Sequence, residues 1–311
     1  MRILLKGLAL LGAVLFLGSC SEGELTATNG LKYKLLKAGE GEFAKNGEYL
    51  LVNMEYKDEN DSVWLSSEKN GSPIALLKDS TWENSVGSIN SIFAVLKQGD
   101  SVQFSLSCTD LFKHTFKSPI PPQVDSTATL TFNMGVEAIY DMEGIRAWQQ
   151  QQQQQLMAKQ KEDAINQKEE DLAAIAVYLE ENNIDAQTTE TGLSYVITQE
   201  GEGEKATNGS LVRVNYTGNV LNGPYFDSSY EEIAKEKGIY TEGREYGPLE
   251  FRLGTRSVIT GRDEGIVLLN KGAKATLYVP SGMAYGPRQR GATILPNSIL
   301  VFDVELVDII K

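Results

Sequence analysis

Histidine is almost missing from this chain: its 311 residues include one, His114, beside only two cysteines, Cys20 and Cys108. A histidine-based metal centre is thereby excluded, and no cysteine or histidine cluster has ligand spacing. Basic charge is scarce as well. Lys and Arg together number 29 against 42 Asp and Glu, a formal net charge of -13. With no basic patch interleaved with aromatics, nothing neutralises phosphates in bulk, and nucleic acid is excluded as a partner. Long apolar runs are missing too. The longest, Leu8 to Leu17, is too short for a comfortable membrane span.

What surrounds that run gives it a meaning. Arg2 and Lys6 precede it, and Leu17-Gly18-Ser19-Cys20 closes it in small residues, which is the pattern of a signal peptide. The closing four residues also resemble a bacterial lipobox, in which cleavage precedes Cys20 and its thiol is acylated. The alternative is an ordinary signal peptide with a chance cysteine. Residues 1-19 are then the signal and 20-30 a polar tether, with more than one acyl chain for stable anchoring. This implies a lipid-anchored protein of the bacterial cell envelope, at the outer membrane, with the leaflet open. Once Cys20 is lipidated, Cys108 has no partner for an intrachain disulfide. Lying in the strand-like alternation Val102 to Cys108, it reads as a small buried residue.

An apolar fraction of 41% over this length supports two domains with real cores. The chain also repeats itself. Gly30-Leu31-Lys32-Tyr33, Gly39-Glu40-Gly41-Glu42 and Asn46-Gly47 match Gly192-Leu193-Ser194-Tyr195, Gly201-Glu202-Gly203-Glu204 and Asn208-Gly209, each pair 162 positions apart. At the same offset Val52-Asn53 falls on Val214-Asn215, and Trp64-Leu65-Ser66-Ser67 on Phe226-Asp227-Ser228-Ser229. A constant offset over that span is an internal repeat. Between the copies, residues 141-188 change in composition: seven glutamines, Gln149 to Gln155, lead into good helix formers. Leu172, Ile175, Tyr178 and Leu179 then follow an i, i+3, i+6, i+7 stripe, so the spacing predicts one long helix with an apolar face, stopping at Asn182-Asn183. Its partner is the second domain or the same helix in a second copy. A homodimer through residues 31-185 is therefore one expected assembly.

In the second copy, Val212, Val214 and Tyr216 alternate with polar neighbours, as do Leu300, Phe302, Val304 and Leu306, and Ala275, Leu277 and Val279. Such period-two runs are half-buried strands. Val258, Ile259, Ile266 and Leu269 fall at helical spacing. One short helix on an antiparallel sheet, an α+β fold, follows. Tyr216, Phe226, Phe251, Tyr285 and Phe302 would share the inner face.

Val214-Asn215-Tyr216-Thr217-Gly218, Tyr225-Phe226-Asp227-Ser228-Ser229, Ala284-Tyr285-Gly286 and Leu300 to Leu306, in this order, resemble the FKBP-type peptidyl-prolyl cis-trans isomerases from about Gly192 to Lys311. The resemblance implies two FKBP-like domains, 31-140 and 189-311, each a curved antiparallel sheet wrapped on a short helix, joined by the long helix. It also implies which residues form the site. Tyr216, Phe226, Val258, Ile259 and Phe302 match wall and floor, Asp227 the pocket carboxylate, Tyr285 the hydroxyl reaching the substrate carbonyl, and Ile294 the flap; Phe251 lies with them. Leu249 and Met283 replace rim aromatics. Arg262 replaces a floor tryptophan, and is expected to lay its methylenes along the wall and lift its head to water. In the first copy Met54, Leu65 and Phe112 stand at the places of Tyr216, Asp227 and Tyr285. Each change deletes a polar group while keeping bulk, so the first domain reads as the same fold without the signature.

Turning an X-Pro bond breaks and makes no covalent bond, so no cofactor or metal is called for. The expected partners are proline-containing polypeptides. A peptide-binding holdase and a structural envelope lipoprotein remain alternative readings. The stretch between Ser229 and Pro248 exceeds what compact relatives carry, with a helix expected at Tyr230 to Ala234; it either shapes the pocket or is a tolerated loop.

Overall fold

The computed structural model describes residues 24–310 apart from 29 and 85, so Cys20 and the expected signal lie outside the described residues. The chain divides between residues 153 and 154 into two compact units. The first holds β1 (Glu24–Thr26), β2 (Lys32–Lys37), β3 (Tyr49–Lys57), β4 (Val63–Ser66), β5 (Ile74–Leu77), helix α1 (Asn90–Ala94), β6 (Ser101–Ser107), the single turn α2 (Cys108–Asp110) and β7 (Thr129–Tyr140). Its sheet runs β1-β2-β6-β7-β3-β4, with β5 also on β3. Cys108 is fully buried, although it opens the turn after β6 and is not part of the strand.

Helix α3 (Met142–Glu181) takes in all seven glutamines. Asp141 opens it by accepting from the Gly144 amide at 2.7 Å, an N-cap. Asn183, at φ +53°, closes it with the Ile184 amide bonded to the Leu179 carbonyl at 2.9 Å, the left-handed ending that asparagine tolerates. Among the described residues no helix is long and apolar enough to cross a membrane.

The second unit continues with β8 (Gln187–Thr188), β9 (Ser194–Gln199), β10 (Leu211–Val220), β11 (Tyr225–Ser228), α4 (Glu231–Glu236), β12 (Leu249–Arg252), α5 (Thr260–Val267), β13 (Lys274–Val279) and β14 (Leu300–Ile310). Its order, β8-β9-β13-β14-β10-β11 with β12 also on β10, repeats that of the first sheet strand for strand. Fine contacts repeat as well. The Met54 amide donates to Ser67 Oγ at 2.9 Å, and the Tyr216 amide to Ser229 Oγ at 2.9 Å. Gly99 and Gly272, at φ +92° and +89°, donate to the Val136 and Leu306 carbonyls at 2.8 Å each.

Alternation places the core. Val212, Val214 and Tyr216 of β10 and Leu300, Phe302, Val304 and Leu306 of β14 are buried together with Ile266 of α5. The opposite face is covered in part: Ile175, Tyr178 and Leu179 of α3 pack on Tyr278 and Val301, which is why Val301, on the outward side of the alternation, is buried. The helix forms a shorter piece than the spacing of its apolar residues predicts. Val258, in a bend, and Ile259, the extended N-cap, precede α5, and Leu269 follows it. Two glycines set the helix close to the sheet, since a Cβ at Gly261 would stand 2.3 Å from Val279 Cγ1 and one at Gly265 2.5 Å from Leu277 Cδ1.

Candidate active site

Strands β10, β11 and β14, the run before α5 and the loops after β13 converge on one cavity of about 510 Å³. The sequence-predicted pocket residues line it except for Phe251 and the expected rim residue Met283, which packs against the core instead. The Phe251 ring is buried in the core, 5.7 Å from the Arg262 guanidinium. Phe226 and Phe302 meet edge to face, centroids 5.6 Å apart and planes at 78°, a favoured arrangement for aromatic quadrupoles. Gly218 makes this contact possible. A Cβ there would lie 2.6 Å from Phe226 Cζ and 2.9 Å from Phe302 Cε1.

Asp227 is the one carboxylate in the lining. Oδ2 accepts from the Tyr216 hydroxyl at 2.5 Å, and Oδ1 from the Ser228 amide at 2.9 Å and from Arg244 Nη1 at 2.5 Å. Burial first, then this bond to Asp227, raises Tyr216 above the ordinary tyrosine value, keeping its hydroxyl a donor. Tyr285 follows a short turn, Ser281–Met283, with its ring beneath the Arg290 guanidinium at 5.1 Å. Ile294 is buried, whereas Leu249 stands at the rim, 37% exposed. Such a lining can enclose an apolar ring and aim a hydroxyl at a polar group beside it.

Known proteins share this part of the chain. The model of the FKBP-type peptidyl-prolyl cis-trans isomerases matches residues 202–307. The FK506-binding protein 2 of Candida glabrata is 43% identical over 108 residues, which make up 34% of this chain and 70% of that protein. This chain belongs to the FKBP-type peptidyl-prolyl cis-trans isomerase family. The FKBP-type 22 kDa isomerase of Escherichia coli is 37% identical over 155 residues, 49% of this chain and 68% of that one. A probable FKBP-type isomerase, FkpA, of Neisseria meningitidis serogroup B is 37% identical over 191 residues, 57% of this chain. The match spans 63% of the Neisseria protein, less than two thirds of its length.

Against the expectation for an FKBP-type floor, Arg262 does not lift its head to water. The residue is 7% exposed, and its guanidinium lies 4.2 Å over the Tyr216 ring and 5.3 Å from that of Phe302. The tryptophan's place is taken by a cation seated on aromatic faces. Burial pushes its pKa down, yet a guanidinium stays charged. Its Nε and Nη2 are buried without hydrogen-bond partners.

Sequence reasoning missed two charged lining residues, Arg244 and Arg290, beside Ser257 and the loop residues Gly291, Ala292 and Thr293. Arg244 comes from the stretch between Ser229 and Pro248, for which shaping the pocket was one of two expected roles, though no spacing singles this residue out as the partner of Asp227. Arg290 lies in the loop after Tyr285 and is tied to the site twice, by its cation–aromatic contact with Tyr285 and by paired backbone hydrogen bonds with Ile294, its amide to the Ile294 carbonyl at 2.8 Å and the Ile294 amide to its own carbonyl at 3.3 Å. Gly218 could have been noticed through the repeat, because the residue 162 positions earlier is Tyr56. In the first unit the Tyr56 ring stacks on Phe132 at 4.7 Å, whereas in the second unit the Phe226 ring takes the space over Gly218 and meets Phe302. Among the described residues no group of three or more His, Cys, Asp or Glu could hold a metal ion.

Proposed function

We propose that the second unit isomerises X-Pro bonds of envelope or exported polypeptides, by gripping the amide midway through its rotation. The barrier of about 18 to 20 kcal/mol comes from amide resonance. Each tenfold acceleration requires about 1.4 kcal/mol of preference for the twisted form over the planar ones. Twisting makes the nitrogen pyramidal and the carbonyl more ketone-like. Tyr216, Phe226, Val258, Ile259 and Phe302 supply a dry enclosure for the proline ring, with Ile294 across it and Leu249 at its edge. The Tyr285 hydroxyl donates to the carbonyl oxygen, and Asp227 provides negative charge near the amide. The observation carrying this reading is that one cavity holds rings, hydroxyl and a fully hydrogen-bonded carboxylate together. Family membership supports it.

The test is an NMR exchange or protease-coupled assay on X-Pro peptides with the full chain, beside Asp227→Leu and Tyr285→Phe. The parent should accelerate exchange and each variant should lose about tenfold or more in kcat/KM. No acceleration by the parent over solvent ends the enzymatic reading, and two variants as fast as the parent end the residue assignment.

The anchor proposed at Cys20 would hold this activity at the bacterial envelope, with the first unit as a second, non-catalytic peptide-binding or pairing surface. Leu156, Met157 and Ile165 of α3, each at least half exposed, support pairing of two chains. Light scattering should then give twice the monomer mass.

A further inference from the structure

Charge in the cavity runs opposite to that of the whole chain. Three arginines, Arg244, Arg262 and Arg290, line it against a single carboxylate, Asp227, in a protein whose formal charge is -13. Arg244 is taken up by Asp227, as a 2.5 Å ion pair. The other two have no carboxylate partner among the described residues. Arg262 is held by aromatic faces with Nε and Nη2 unpartnered, a costly state for a buried charge that a bound anion would relieve. Arg290 is exposed at the mouth, on the ring of Tyr285.

We propose that this site selects X-Pro bonds whose residue before the proline is Asp or Glu. The inference rests on the isomerase reading. If the proline ring sits among Tyr216, Phe226 and Phe302 and the carbonyl of the X-Pro amide, which belongs to the preceding residue, faces Tyr285, the side chain on the adjoining Cα leaves the cavity on the Tyr285 side. Arg290 stands there to receive a carboxylate, and Arg262 below adds an attractive field, which low-dielectric walls focus. A lysine in the same position meets two like charges, neither of them in an ion pair among the described residues.

The experiment measures kcat/KM of the full chain on matched peptides with Glu, Gln or Lys before proline, by NMR exchange, at low salt and at about 0.5 M salt, where the Debye length shrinks to a few ångströms. Glu is expected to exceed Gln by about fivefold and Lys by more than tenfold at low salt, with both ratios shrinking at high salt. Arg290→Gln, an exposed change, should bring the Glu-to-Gln ratio close to one while circular dichroism stays that of the parent. Equal rates for Glu and Gln, or a ratio untouched by Arg290→Gln, overturn the inference. If no peptide is isomerised, the enzymatic reading fails separately, and chemical-shift titration with the same peptides decides: tighter binding of the Glu peptide supports the selection, and equal binding overturns it.

Discussion

At the scale of single residues, the cavity depends as much on what is left out as on what is present. Gly218 pairs with Phe302 across β10 and β14, and the rings of Phe226 and Phe302 meet in the space a side chain would take. Gly218→Ala forces one ring aside, an overpacking that costs about 1 to 3 kcal/mol. Urea denaturation should register that loss, and kcat/KM should fall by about tenfold if the displaced ring is the one that covers the proline. Tyr56 in the first unit shows what a full side chain at this position does, since its ring packs flat on Phe132. Asp227 makes a complementary point. A carboxylate beside phenylalanine announces a role or a partner in the sequence, and folding supplies Tyr216, Ser228 and Arg244 as partners; only Arg244 comes from a stretch in which no spacing singles it out.

At the scale of elements, the site is held by how closely α5 sits on β13 and by what α3 does behind the loop carrying Tyr285. Gly265 permits the first: a Cβ there meets Leu277 Cδ1 at 2.5 Å. Gly265→Ala should lift the helix that carries Arg262 and follows Val258 and Ile259, weakening peptide binding more than it slows turnover of bound peptide, readable as a rise in KM. The second support is Asp171 of α3, 2% exposed, which accepts from the Ser281 amide at 2.7 Å and from Gln167 Nε2 at 2.9 Å. The Ser281 carbonyl in turn accepts from the Gly286 amide at 2.8 Å, directly after Tyr285. Asp171→Ala leaves a buried amide unsatisfied, at about 1 to 3 kcal/mol. Hydrogen exchange of Ser281 and Gly286 should quicken more than that of β10. The helix itself was legible from its spacing, glutamines included. Its grip on the loop was not, because a lone aspartate on a charged helix reads as solvated.

At the scale of the whole molecule, the later half of α3 behaves as part of the second unit. The family resemblance implies that this domain begins at 189, whereas contacts divide the chain between 153 and 154. A chain cut to 189–311 exposes Tyr278 and Val301, which Ile175 covers. Each large apolar side chain uncovered forfeits about 1.5 to 3 kcal/mol, so 154–311 should melt well above 189–311 in a thermal scan. Acid should also destabilise the second unit. Tyr230 donates to Glu305 at 2.6 Å, and that bond, ahead of Asn215 and Lys274, holds the carboxyl below its ordinary value of 4.5. A folded pKa depressed in this way stabilises above the unfolded value and is lost as pH falls through the folded one. Stability measured by urea from pH 6 to 3 should therefore drop below about pH 4.5, and less steeply in Tyr230→Phe.

The sequence by itself determined the strands, the repeat and the long helix, because alternation, a constant offset and helical spacing are local records of which side chains must leave water; most of what was legible of the cavity lining came only through the resemblance to the FKBP family. Only the tertiary structure decided that Phe251 lies in the core behind Arg262, that the Arg262 guanidinium rests on rings, and that Arg244 and Arg290 reach the site. Those outcomes depend on which distant segments meet and on how a buried charge finds the cheapest surroundings, and no local pattern of residues encodes either.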